Sequence, residues 1–155
     1  MRVGVRYDIS DPAMIEQFHQ AFNFWGKLLE ADFFDDQSTS CAVAIVAATK
    51  DILAQRTVVA RAQLPDRSKF CGWIAVDPMA STYLEPSEAR AVWIHEIGHV
   101  LGLKHSHSSN SLMYFLSVSG PQVIDDEDLR ALALKHALRP VTGGAGARSI
   151  SLMNQ

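Results

Sequence analysis

Residues 95–105 read HEIGHVLGLKH, and this stretch says more than any other about the fold and the site of the chain. His95 and His99 are four residues apart, so on a helix they project from one face and can reach a single cation. Gly102 lets the chain leave the helix, since glycine adopts positive φ at little cost. The turn then brings His105 round as a third nitrogen ligand. Three histidines and an open fourth position are typical of a catalytic zinc site, because structural sites are closed by four protein ligands.

The residue after the first histidine, Glu96, is placed to contact a zinc-bound water rather than the metal itself. A surface cluster of histidines at a helix end would explain neither Glu96 nor Gly102. His107 is a competing third ligand, but its distance from Gly102 does not fit the motif. The other two histidines, His19 and His136, fall on predicted helices far from the motif, and we expect them to be packed or solvated.

The composition is that of a globular domain of 155 residues, with 48% apolar and 20% charged residues. Intrinsic disorder, collagen and a disulfide-dense scaffold are therefore excluded. The formal charge of −3 provides no basic surface for nucleic acid or for an anionic membrane. The longest apolar run, residues 42–48, is far shorter than the roughly 20 residues of a membrane span. Residues 1–8 lack the basic stretch and apolar segment of a signal peptide, so we expect none there.

The order of the predicted elements, with a helix between the first two strands, predicts an α/β fold with a partly parallel sheet. Alternating apolar residues at the N-terminus predict a strand, and Asp11-Pro12 supply a cap and a first turn for a long amphipathic helix. The aromatic residues of that helix are assigned to the core. The glycine-rich residues 143–146 indicate a flexible tail. Further strands are predicted at 33–34, 41–48, 57–64 and 73–76, and further helices at 86–101 and 125–138.

The central motif resembles the zinc signature H-E-x-x-H-x-x-G-x-x-H of the metzincin clan of endopeptidases, and within that clan the matrixins. Ser106 follows the third histidine, as it does in matrixins. Residues 111–114, Ser-Leu-Met-Tyr, resemble the Met-turn, whose methionine lies beneath the zinc ligands. Residues 124–126 resemble the aspartate pair that ties the last helix to that turn. Residues 58–65 are similar to the matrixin edge strand, against which substrate lies antiparallel.

This resemblance implies a metzincin fold over residues 1–140, with the tail 141–155 outside it. The fold would contain a twisted, mostly parallel five-stranded sheet, three helices, and an active-site helix followed by the Met-turn. The resemblance also implies a zinc endopeptidase in which Glu96 is the general base and Met113 and Gly102 give structural support. We expect a monomer that binds an extended polypeptide along the edge strand at 57–64. An extracellular location is favoured by family analogy alone.

Several matrixin features are replaced in this sequence. Arg61 and Ala75 stand where matrixins have histidine ligands of a structural zinc, and residues 20–94 contain no histidine. The acidic calcium cluster expected at Asp77 is replaced by the sequence Asp-Pro-Met. We therefore expect one catalytic zinc, without the structural zinc or the calcium of matrixins.

Cys41 and Cys71 are either two buried thiols or one disulfide. The resemblance places them at one end of two parallel neighbours, the third and fifth strands of the metzincin sheet, and on that ground we expect them to pair. The bond would close a loop of about 30 residues, worth roughly 3–4 kcal/mol in the chain-entropy model. A count of two free thiols in the denatured, unreduced protein would exclude the pairing.

Two other functions are compatible with the same motif. A non-proteolytic zinc module that captures peptides or a partner protein would explain the histidines, but such a binder has no need of a base at Glu96. A zinc amidase acting on another amide polymer, such as cell-wall peptide, would need every residue of the motif. Only a substrate profile separates this amidase from the endopeptidase.

Overall fold

The computed structural model describes residues 2–38, 42–49, 60–63, 72–109 and 111–114, together with the backbone of 138–140 and 150–152. The predicted α/β class is confirmed. In chain order the elements are β1 (Arg2–Asp8), α1 (Pro12–Leu29), β2 (Asp32–Asp35), β3 (Ala42–Ala47), β4 (Ala60–Ala62), β5 (Gly72–Val76), a short 3₁₀ turn (Ala80–Thr82), α2 (Pro86–Val100), β6 (Leu138–Pro140) and β7 (Ile150–Leu152).

Five strands form one mixed sheet in the order β2-β1-β3-β5-β4. Strand β1 is parallel to β2 and β3, β3 is parallel to β5, and β4 runs antiparallel to β5 at the edge. Parallel neighbours need crossover connections, and α1 supplies the one between β1 and β2. The mostly parallel five-stranded sheet expected from the sequence is confirmed.

Helix α1 begins where the sequence predicts. The Asp11 carboxylate accepts hydrogen bonds from the amides of Ala13 (2.9 Å) and Met14 (3.4 Å), and Pro12 occupies the first turn. The helix ends before Glu30, which adopts the left-handed conformation with φ of 51°. The aromatic residues assigned to the core are on its buried face, which consists of Met14, Phe18, Ala21, Phe22, Trp25, Leu28 and Leu29.

The described residues form an apolar core between α1, α2 and the sheet. Helices α1 and α2 pack directly on each other, with Phe18 stacked on Trp93 at 4.7 Å between ring centroids. From the sheet, Val5, Ile45 and Ile74 are at most 1% exposed and join the same core. The core therefore fixes α2, the helix that carries the motif, against α1 and the strands.

Several predictions fall outside the described residues, among them the Cys41–Cys71 pairing and residues 57–59 and 64 of the edge strand. Two α-helices lie within the described ranges, and the third predicted helix, at 125–138, falls outside them except for Leu138. That residue lies in β6, which pairs antiparallel with β7, so it does not end a helix.

Strand β7 lies within the segment 141–155 that was expected to be a tail. The domain boundary at residue 140 remains a prediction. No helix in the described ranges is long and apolar enough to cross a membrane.

Candidate metal centre

Helix α2 carries the first two histidines of the motif and ends directly after them. Gly102 has φ of 97°, and the amides of Gly102 and Leu103 donate to the carbonyls of His99 and Gly98, both at 2.9 Å. This is the Schellman arrangement, which favours glycine at the left-handed position. The chain thereby reverses toward the helix before it reaches His105.

The three predicted ligands meet at one point. The Nε2 atom of His99 lies 3.1 Å from Nε2 of His95 and 3.1 Å from Nε2 of His105. Among the described residues, these histidines form the one group of three or more ligand side chains close enough to share a metal ion. His95 and His99 are half-buried and His105 is exposed, so the site opens to solvent on the His105 side.

The other ring nitrogens of the two helical histidines are bound to backbone carbonyls. His95 Nδ1 lies 3.0 Å from the carbonyl oxygen of Leu112, and His99 Nδ1 lies 2.9 Å from that of Leu103. Because a carbonyl oxygen only accepts hydrogen bonds, each Nδ1 carries the ring proton. The Nε2 atom of the neutral ring then has a free lone pair. Two facing lone pairs cannot bond to each other, so the partner that suits this arrangement is a cation.

Burial keeps the two helical imidazoles neutral. Desolvation lowers the pKa of His99 to about 4 and lowers the pKa of His95 below its ordinary value, while the carbonyl hydrogen bonds act in the opposite direction. Repulsion from neighbouring imidazoles of the triad makes a smaller contribution to the same lowering of both pKa values. Since only the neutral imidazole binds a metal, the surroundings favour the ligand form at neutral pH.

The ligand set fits zinc in chemistry and in spacing. Imidazole nitrogen binds zinc at 2.0–2.1 Å, so two ligands of a tetrahedral ion are about 3.3 Å apart. The observed separations of 3.1 Å are close to this value. Three ligands converge among the described residues, which is the number found in catalytic sites that keep a position for water or substrate.

The Glu96 carboxyl, on the residue after His95, is largely withdrawn from water. Burial raises the pKa of Glu96 to about 7, although a hydrogen bond from the backbone amide of Ala62 acts in the opposite direction. Ala62 belongs to β4, so the edge strand contacts this carboxyl directly. A carboxyl with a pKa near neutrality can both take up and release a proton at neutral pH.

The turn at 111–114 joins two of the ligand segments. Met113 is 0% exposed, and its carbonyl accepts the amide of Ser106, the residue after the third histidine, at 2.9 Å. The carbonyl of Leu112, in the same turn, is the one that accepts from His95 Nδ1. The methionine predicted to be apolar support therefore lies in a segment bonded to both sides of the triad.

The other histidines have different surroundings. His107 is exposed. His19 lies on α1, where its Nε2 is 3.2 Å from the Asp35 carboxylate and its ring contacts Tyr7 edge-on. His136 lies outside the described residues. Within the part of the chain that the structure describes, nitrogen ligands thus converge only at the predicted three.

The positions at which a second metal would need ligands are ordinary sheet and turn positions. Arg61 is exposed on β4, opposite Ala75, which is fully buried on β5. Asp77 accepts hydrogen bonds from the Met79 amide (2.9 Å) and the Tyr83 hydroxyl (2.7 Å), one on each carboxylate oxygen. The lack of a second zinc and of calcium stays a prediction.

Sequence reasoning missed the backbone groups that hold the functional side chains, namely the carbonyls of Leu103 and Leu112 and the amide of Ala62. A backbone group carries no residue-type signature, so no motif could reveal these contacts. Gly98 is a different case, because a glycine inside a helical pattern costs about 1 kcal/mol relative to alanine and signals close packing. That signal was present in the sequence.

A comparison with known protein families gives a match over the part of the chain that contains the three histidines. A family model described as Matrixin (Peptidase_M10) matches residues 3–134, which run from the first strand through the whole motif and beyond the Met113 turn. The match covers more than half of the chain. Comparison with curated proteins gives no match.

Proposed function

The chain belongs to the matrixin family, and on that premise we propose that it is a zinc-dependent endopeptidase that cleaves extended polypeptides. Family membership by itself supports a function of the zinc metalloprotease type. The observation that carries the more specific proposal is the convergence of three imidazole nitrogens, with neighbouring Nε2 atoms 3.1 Å apart. The acidic residue that follows the first of these histidines, Glu96, completes the chemistry.

His95, His99 and His105 would hold the zinc ion through their Nε2 atoms. When bound, zinc polarises a scissile carbonyl as a Lewis acid and lowers the pKa of a coordinated water toward 7. The carbonyls of Leu103 and Leu112 keep two of these ligands in the required tautomer, because they accept the Nδ1 protons. The exposed side of the triad, at His105, is where substrate would enter.

Glu96 takes a proton from the attacking water and passes it to the departing amine. A general base works best when its pKa lies near the pH of the reaction. In the metal-free protein burial raises the pKa of Glu96 to about 7, and a bound zinc ion would favour the ionised carboxylate that accepts the proton. The Ala62 amide orients the carboxylate by donating a hydrogen bond to it. Both directions of proton transfer are therefore accessible to one side chain at neutral pH.

The polypeptide substrate pairs with β4 as an additional antiparallel strand. The Gln63 amide donates to the Trp73 carbonyl at 3.0 Å, so Gln63 faces β5. Because antiparallel bonding alternates along a strand, Ala60 and Ala62 turn their main-chain groups to the open edge. The Ala62 amide donates its hydrogen bond to Glu96. The other main-chain groups that Ala60 and Ala62 turn outward would bind the substrate main chain. The strand that aligns the substrate thus also contacts the base.

A quenched fluorogenic peptide library, incubated with the zinc-loaded protein, tests the proposal. We expect cleavage at internal peptide bonds, identified by mass spectrometry, that stops with a chelator and returns with added zinc. A protein that binds zinc and cleaves no peptide would contradict the endopeptidase. It would favour a binding module or an amidase for another polymer.

A further inference from the structure

Trp25 on α1 contacts the metal-binding helix at both ends of the turn that carries the first two ligands. Its side chain is 0% exposed, and its indole N–H donates to the Ile94 carbonyl at 2.9 Å. Ile94 is the residue before His95. Cζ2 of the same ring lies 3.2 Å from the point where a Cβ would stand at Gly98, the residue before His99. The indole therefore spans the turn between the residues that precede the two ligands.

The contact is made to the helix backbone rather than to a side chain. Within an α-helix, the Ile94 carbonyl accepts the amide of Gly98, four residues later. The second lone pair of that carbonyl accepts the Trp25 indole. The bare backbone of Gly98 allows the ring to approach this closely. Because the acceptor is a backbone atom, the bond restrains both the translation of α2 along its axis and its rotation.

We infer that Trp25 is a positioning residue for the metal site, acting through helix α2. A functional constellation has to be held within about 0.5 Å of its working geometry by residues that are themselves locked in place. Packed helices in other proteins shift past each other by about 1–2 Å in conformational transitions. A hydrogen bond from a buried, rigid ring to the residue before His95 limits such a shift at the ligands. The inference rests on the proposed zinc site.

Trp93, on the metal-binding helix α2, provides a matched control. It is also 0% exposed, and its indole also donates a hydrogen bond across the interface between α1 and α2, to Gln17 Oε1 at 3.1 Å. Its acceptor, however, is a side chain of α1, whereas the acceptor of Trp25 is the backbone of the ligand-bearing turn. Loss of the Trp93 bond should therefore lower stability without displacing the ligands.

The test compares Trp25→Phe with Trp93→Phe in the full chain. The measurements are the unfolding free energy of the metal-free protein, the zinc affinity by chelator competition, and the absorption spectrum of the Co²⁺-loaded protein. We expect both variants to be less stable than the wild type. Only Trp25→Phe should bind zinc about tenfold or more weakly and change the Co²⁺ d–d bands, which report ligand geometry.

A second substitution covers the case in which Trp25→Phe does not fold. Replacement of Trp25 by 3-benzothienylalanine keeps the shape of the ring and removes the N–H donor, and it should have the same effect on zinc affinity and on the Co²⁺ bands. If the Trp25 variants match Trp93→Phe in both properties, the inference is overturned and the metal site stands. If the wild type binds neither zinc nor Co²⁺, the proposed zinc site is wrong, and the inference about Trp25, which rests on that site, is wrong as well.

Discussion

The sulfur of Met113 occupies the space that a side chain at Gly98 would need. A Cβ at Gly98 would lie 2.6 Å from the Met113 Sδ atom and 3.2 Å from its Cε atom. Gly98 lies between the ligands His95 and His99, so the Met113 turn contacts the backbone of the metal-binding helix at the turn that carries them. The support predicted for this methionine thus has a definite contact, which substitution can test.

Gly98→Ala is expected to lower the free energy of unfolding by about 1–3 kcal/mol through overpacking against Met113. The effect should appear although alanine is favoured over glycine within a helix by about 1 kcal/mol. Denaturant unfolding of the metal-free protein measures it. In a Met113→Ala background, Gly98→Ala should lower the unfolding free energy by less, because the sulfur that crowds the new methyl group is gone. The effects of two residues in contact are not additive. Equal penalties in both backgrounds would show that Met113 does not limit the space at Gly98.

Asp11 links the start of α1 to the 3₁₀ turn that precedes α2. Its carboxylate accepts from the Ser81 hydroxyl as well as from the Ala13 amide. Asp11→Ala should cost about 1 kcal/mol of stability, since it removes the helix cap. Asp11→Asn keeps a capping acceptor and should cost less. Equal losses in denaturant unfolding would show that the cap contributes nothing beyond the charge.

The contribution of Asp11 should also depend on pH. The Ser81 hydrogen bond holds the pKa of Asp11 below its usual value, and the amide bonds add to that effect. With the folded pKa below the unfolded one, the stabilisation by the charge is present above the unfolded pKa of 3.8 and is lost as pH falls through the folded pKa. The stability difference between wild type and Asp11→Asn should therefore shrink in acid, and a constant difference would contradict the assignment.

Glu96 is expected to make the metal-free protein less stable as pH rises toward neutrality. Burial raises its pKa from 4.5 to about 7, so between these values the folded state binds the proton more tightly than the unfolded state does. Above about pH 7 the folded protein therefore carries the full cost of the buried charge. Glu96→Gln should raise the unfolding free energy there by about 1–3 kcal/mol, with little effect near pH 4.5. If the gain in unfolding free energy from Glu96→Gln does not vary with pH, the burial of the Glu96 charge is not its cause.

Loss of a residue that hydrogen-bonds to a metal ligand typically lowers metal affinity about 10–100-fold. His105→Ala removes a ligand itself and is expected to lower zinc affinity by more than that. The nitrogen it removes is one of three that converge. His107→Ala is the matched control, because His107 is exposed two residues further on and should leave affinity unchanged. Chelator competition provides both values. A larger loss of zinc affinity with His107→Ala than with His105→Ala would make His107 the third ligand. Two zinc ions bound per wild-type chain would contradict the expectation that the structural zinc site is absent.

Local signals predicted the parts of the fold that local geometry controls. The cap at Asp11 and Pro12 set the start of α1, and Gly102 set the end of α2 within one residue of the prediction. Strand β2 was predicted at 33–34 but extends over Asp32–Asp35. Its extra residues are polar and carry no apolar pattern, and they join the strand because β1 pairs with them, as Arg2 does with Asp32.

Contacts between distant segments could not be predicted from the motif. The spacing of His95 and His99 predicts a shared face, because helical geometry alone determines it. The hydrogen bond from Ala62 to Glu96 depends on the placement of β4 on β5 and of α2 on the sheet. The Trp25 bond to the helix backbone likewise joins residues 69 positions apart, and no periodicity along the chain encodes it.

The most direct test of the central claim compares the zinc-loaded wild type with Glu96→Gln on one peptide selected from the library. The zinc content of both proteins is measured by mass spectrometry in the same preparations. We predict equal zinc content and a kcat/KM about 10²–10⁴-fold lower in the variant, the usual contribution of a general base. A variant that holds its zinc and keeps more than a few per cent of the wild-type activity would contradict the assignment of Glu96 as the base.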